Sequence, residues 1–138
     1  MKTPRIALAL ALALASLTVS AAATAQVTTG KVIRGLTLSG PAGVPDTPTG
    51  TTCDFSGEDV DQANKMTGAS VNCKPGSSTK AQVIPGLPAR FNAYCMIDAP
   101  VKSARVIQAG IPGNTNHCDL SGITPKDATN QFGGALWR

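Results

Sequence analysis

Beyond its opening stretch the chain is a series of short apolar runs, each cut off by Gly, Pro, Ser or Thr. That punctuation suits strands and tight turns and leaves little room for long helices. Lys31 to Leu38 has the β-branched content and partial alternation of a strand, ended by Ser39-Gly40-Pro41. Ala69 to Cys73 and Lys80 to Ile84 read as further short strands around a Pro75-Gly76-Ser77-Ser78 turn. The clearest strand is Arg90 to Asp98, where Phe91, Ala93, Cys95 and Ile97 fall on one face and are expected to be core. Val101 to Gln108 carries Val101 and the Val106-Ile107 pair, and Ala135-Leu136-Trp137 can add a last strand.

Two segments carry helix signals. Before Glu58 to Met66, Ser56 can cap and Asp59 completes a capping-box spacing, with acidic residues suited to the helix dipole. Near the end of the chain Thr124 can cap, Pro125 occupies the first helical position and Asp127 the third. From Ala42 to Thr52 the chain is mostly Pro, Gly and Thr with little to bury, and is expected to be a mobile surface loop. The resulting expectation is a mainly β fold, a small disulfide-stapled sandwich or open barrel with two short helices.

An internal resemblance organises the pattern. Cys53-Asp54-Phe55-Ser56-Gly57 returns as Cys118-Asp119-Leu120-Ser121-Gly122, with Ala42-Gly43-Val44-Pro45 and Ala109-Gly110-Ile111-Pro112 upstream of the two copies. Downstream, Ala63 and Gly68 answer to Ala128 and Gly133 without a gap. This suggests an internal duplication with halves at about residues 26–78 and 79–138. The shared Asp, Asp54 or Asp119, is expected to close a tight turn through its own backbone as an Asx-turn.

The opening stretch is of another kind. Met1 to Arg5 is positive, Ile6 to Leu17 is an apolar Ala/Leu run, and Ala23-Thr24-Ala25 is a small-residue cleavage pattern. Residues 1–25 therefore read as a secretory signal, leaving 26–138 as a single small secreted domain, periplasmic or extracellular. The apolar run is too short for the roughly 20 residues that a bilayer requires, so no stable membrane insertion is expected after cleavage. Lys2 and Arg5 leave with the signal, which lowers the formal net charge from +4 to +2. The remaining basic residues are scattered singly, a distribution that does not follow a phosphate backbone, and nucleic acid is not expected as a partner.

Cys53, Cys73, Cys95 and Cys118 all lie beyond the signal, and an even count in a small exported domain points to two disulfides. Local pairing, Cys53 with Cys73 and Cys95 with Cys118, is favoured because each loop is short; each bond is worth on the order of 3 kcal/mol in the chain-entropy model. The core has few aromatics, Phe55, Phe91, Tyr94, Phe132 and Trp137, so covalent support matters.

Candidate chemistry is sparse. His117 is the single histidine and precedes Cys118, but neighbours on an extended chain point to opposite sides and do not form a nucleophile–base pair. It is expected to lie in a surface turn. Ligand spacings for zinc are absent. Asp54, Glu58, Asp59 and Asp61 are the densest acidic group, at spacings unlike those of an EF-hand, and capping with a solvated face accounts for them better than calcium. Ser77-Ser78-Thr79-Lys80 matches Ser-x-x-Lys without its companion motifs, so chance accounts for it. A carboxylate pair of Asp98 and Asp119 has no spacing in the sequence to support it. No metal, cofactor or catalytic set is expected.

The reading that follows is an exported, non-catalytic binding or structural module that presents surface loops to a protein or cell-envelope component. Its candidate binding residues are Pro45, Asp46 and Thr47 in one loop and Asn114, Asn116 and His117 in the other. An inhibitor or immunity-type protein is the alternative, and a small hydrolase a third.

Overall fold

A computed structural model of the chain describes residues 26–74 and 79–138. The signal segment, the Pro75-Gly76-Ser77-Ser78 turn and, with it, Ser77 and Ser78 of the Ser-x-x-Lys match therefore lie outside the described residues. Seven strands form one antiparallel sheet: β1 Lys31–Leu36, β2 Pro48–Thr52, β3 Ala69–Cys73, β4 Ala93–Asp98, β5 Arg105–Gln108, β6 His117–Ser121 and β7 Gly134–Trp137. The spatial order is β2-β7-β4-β1-β3-β6-β5. The fold is mainly β, with two short helices, α1 Lys80–Val83 and α2 Pro125–Phe132, and two disulfides. Among the described residues no helix is long and apolar enough to cross a membrane.

Strand alternation gives the sheet two faces. On the inner face Val32, Val71, Cys73, Cys95, Val106, Cys118 and Leu120 are buried beneath Phe55, Met66, Ile123 and Phe132. Phe55 and Phe132 meet with ring centroids 5.1 Å apart. On the outer face Ile33 and Tyr94 form a smaller core with Val83 and Leu87, and the α1 segment covers only this part. The remainder of the outer face, over β1, β3 and β6, is left concave.

Several elements differ from expectation. The Glu58 to Met66 helix does not form: Asp61 Oδ1 accepts from the amides of Ala63 and Lys65, and Asn64 has φ +60°. A side chain that captures nearby amides favours a turn over a helix, and Val60 bridges to Met66 instead. Lys80 to Ile84 is not a strand but α1 followed by a 3-10 turn over Ile84–Gly86. Gln82 accepts from the Thr79 amide and so satisfies a donor at the helix start. Phe91 precedes β4 and packs on the outer face, not with Cys95 and Ile97. The capping signal at Thr124 is realised, its Oγ1 accepting from the Asp127 amide at 3.2 Å.

The Ala42 to Thr52 segment is anchored rather than mobile. Its second half is β2, paired with β7, and the Asp46 amide donates to the Trp137 carbonyl at 2.7 Å. Gly43 lies against the Trp137 indole, where a Cβ would be 2.4 Å from Nε1.

The local disulfide pairing is also overturned. Cys53 bonds Cys95 and Cys73 bonds Cys118, at sequence separations of 42 and 45. Cys73 and Cys118 share the inner face of adjacent strands, since β3 pairs β6 with Val71 opposite Cys118. Strand pairing, not proximity in sequence, selects the partners.

The two Cys-Asp copies take different conformations. The first follows β2 and turns, with Asp54 accepting from the Ser56 amide at 2.8 Å as an Asx-turn. The second is the body of β6, where Asp119 pairs with Ser70 and Ile107 across the sheet. The turn role thus holds for Asp54 and not for Asp119, whose backbone is committed to the sheet.

Candidate functional site

The concave part of the outer face is a cavity of about 480 Å³. Alternation along the strands sets its floor. Ala69, Val71 and Cys73 are in the inner core, so Ser70 and Asn72 face outward; Cys118 and Leu120 do the same for His117. The walls are Pro88, Arg90 and Phe91 from the segment before β4, and Ile111 to Asn114 from the turn between β5 and β6.

A chain of hydrogen bonds fixes the floor. The Asn116 amide, which can only donate, reaches Asn114 Oδ1 at 3.2 Å. Asn114 therefore presents Nδ2 to Asn72 Oδ1, at 2.9 Å. With its oxygen engaged, Asn72 has Nδ2 as its remaining polar group, and that nitrogen has no partner among the described residues. Asn72 is 4 % exposed. Buried polar groups are ordinarily hydrogen-bonded, and the fully buried side-chain nitrogen left without a partner among the described residues is Arg34 Nε, from another residue of the cavity lining.

The wall adds charge. Phe91 lies over Gly35 of β1, where a Cβ would come within 2.5 Å of the ring. The Arg90 guanidinium carbon sits 4.5 Å from the centroid of the same ring. A cation–π contact of this kind leaves the N–H groups available for other partners, and the Arg90 side chain has no ion pair or hydrogen bond among the described residues. The other arginine at the cavity, Arg34, gives Nη2 to Glu58 at 2.5 Å and Nη1 to the Ser70 carbonyl at 2.9 Å, and its buried Nε has no partner among the described residues. Among the described residues no carboxylate lines the cavity.

His117 lies at the start of β6 and not in a surface turn, and its side chain is 13 % exposed. Nδ1 is 2.9 Å from the Ala109 carbonyl and must donate to it, leaving Nε2 to accept from Ser70 Oγ at 3.0 Å in the neutral ring. Asp119 Oδ1 is 3.9 Å from Nδ1. Cys118 points the other way, into its disulfide.

Of the residues singled out in the sequence, Asn114 and His117 line the cavity. Asn116 supports it from the side, packed so close to Gly86 that a Cβ there would be 2.1 Å from its Nδ2. Pro45, Asp46 and Thr47 are not brought to this site. Asp46 Oδ1 accepts instead from Lys80 Nζ and from Tyr94 OH, the latter at 2.7 Å. These bonds, Lys80 first, hold the Asp46 carboxyl below its usual range and raise Lys80, while burial pushes the Tyr94 phenol up. Thr47 exchanges backbone bonds with Val44 and Trp137. The acidic group near Asp54 is dispersed among Arg34, Ser56 and backbone amides, and among the described residues no three metal-ligating side chains gather. Ser70, Asn72, Arg90 and Phe91 were missed. Two signals pointed to them: polar residues at alternate positions of an otherwise apolar strand, and a glycine inside a strand, which marks a close approach.

No family model and no solved structure matches the chain. A curated protein does: Protein RhiC of Rhizobium leguminosarum bv. viciae is 70% identical over 112 residues, which cover 81% of this chain and 74% of that protein. At that identity and coverage, the chain belongs to the same family as Protein RhiC.

Proposed function

We propose that the protein is an exported, non-catalytic binding module whose recognition site is the cavity over β1, β3 and β6. The observation that carries this reading is a pair of side-chain donors at the cavity without partners among the described residues, the fully buried Arg34 Nε and the Asn72 Nδ2 of the floor. Strands position such groups more rigidly than loops do, and the Cys73–Cys118 bond lies directly beneath the floor strands. Two disulfides also suit an oxidising, exported setting. The partner is a protein or cell-envelope component that inserts one polar group into the cavity. An amide NMR screen of the oxidised protein against a fragment library tests this: shifts should gather at Asn72, Arg90, Asn114 and His117. Hits that gather elsewhere, or no hits, would reject the site.

A second reading, a small hydrolase, has one observation in its favour. Ser70 Oγ faces His117 Nε2 at 3.0 Å while Nδ1 is held by a carbonyl, the relation of a nucleophile to its oriented base. A fluorophosphonate probe discriminates. Labelling of Ser70 that is lost in His117→Ala supports hydrolysis, and absence of labelling leaves the contact as a cross-strand hydrogen bond.

A further inference from the structure

We infer that the group the partner inserts into the cavity is an organic anion, with the Arg90 guanidinium as its charge partner and Asn72 Nδ2 as a second donor. This rests on the binding-module reading and specifies its ligand class. The unengaged side-chain nitrogens of the site are donors: the Arg90 N–H edge on the wall, Asn72 Nδ2 on the floor and the buried Arg34 Nε. The acceptors near them are used internally. Asn72 Oδ1 is taken by Asn114, Asn114 Oδ1 by the Asn116 amide, and His117 Nε2 by Ser70. With no carboxylate among the described residues of the lining, a cationic ligand would meet Arg90 without compensation, and an acceptor-poor ligand would leave Asn72 unpaired at a cost.

The form of the cation narrows the class. A guanidinium seated over an aromatic ring still presents a planar fork that matches carboxylate and phosphate oxygens in pairs, and the contact with the ring lessens the freedom lost on binding. Phe91, Pro88 and Ile111 supply apolar wall around it, so the anion is expected to carry a hydrocarbon or ring portion. Ile111 is 47 % exposed, which leaves a large apolar side chain at the rim for that portion to cover.

The test is an NMR titration of the full oxidised protein that follows the Arg90 Nε–H and Asn72 side-chain amide signals. Four probes are used: sodium benzoate, phenyl phosphate, inorganic phosphate and benzamide. Either ring-bearing anion should shift both signals saturably, with affinity at least tenfold above that of benzamide. The comparison of benzoate with phenyl phosphate tells carboxylate from phosphate, and inorganic phosphate reports the share of the apolar part. Arg90 is exposed, so Arg90→Gln should fold normally and reduce anion affinity at least tenfold while leaving benzamide unaffected. If benzamide binds as well as the anions, the anion assignment falls while the cavity remains a binding site. If neither ring-bearing anion shifts Arg90 and Asn72, the inference also falls, and the fragment screen then decides separately whether the cavity binds anything.

Discussion

Gly35 shows how one residue shapes the site. Its missing side chain lets the Phe91 ring lie on the β1 backbone, and that ring carries the Arg90 guanidinium. Gly35→Ala would place a methyl 2.5 Å from ring carbons and should destabilise the fold by about 1–3 kcal/mol, the range for overpacking. The same change should weaken anion binding by displacing the ring and the guanidinium over it. Urea unfolding checks the first effect, and an unchanged midpoint would mean that the ring moves aside freely. At this scale the sequence was legible where a residue acts on its own neighbours, as with the Asp54 turn and the Thr124 cap. It was not legible at Asn72, because the partner that fixes its amide, Asn114, is 42 residues away.

Among elements, the segment between β1 and β2 departs most from its composition. Gly, Pro and Thr suggested a mobile loop, but Asp46 ties it to Lys80 at the start of α1 and to Tyr94 of β4. Asp46 has a folded pKa below its ordinary 3.8, so it stabilises the fold above that pH, and the contribution is lost as pH falls through the folded value. Melting temperature measured from pH 6 to pH 2 should therefore drop more steeply below about pH 4 in wild type than in Asp46→Asn. Asp54, lowered by its bonds from Ser56, leaves the variant some acid dependence of its own. The difference between the curves should shrink at high salt, since the Lys80–Asp46 pair is part-exposed. Curves that remain parallel would show that this tie adds nothing to stability. Elements with strong local codes were foreseen, namely β1, β3, β4, β7 and α2. The expected helix over Glu58 to Met66 and the expected strand at Lys80 were exchanged for a turn and a helix. Short apolar runs do not separate helix from strand, and the side chains of Asp61 and Gln82 decided each case through nearby amides.

For the whole molecule, the disulfides set the boundary between local and tertiary information. A non-reducing peptide map should recover Cys53 linked to Cys95 and Cys73 linked to Cys118; linked fragments joining Cys53 to Cys73 would overturn the strand order. Each bond closes a loop of more than 40 residues, worth about 4 kcal/mol by chain entropy. The double substitution of Cys73 and Cys118 by serine should accordingly cost about 2–5 kcal/mol and reduce affinity at the cavity floor above it. Taken alone, the sequence determined the mainly β class, the presence of two disulfides, several strand positions and the cap of α2. These depend on alternation, turn residues and spacings within a few positions, which any stretch of chain carries with it. Only the tertiary structure decided which strands are neighbours, which cysteines pair, and that Ser70, Asn72, Arg90 and His117 converge on one cavity. Those outcomes follow from burying the whole inner face and part of the outer face of a seven-stranded sheet at once, a condition that couples residues from β1 to β6 and is written in no single segment.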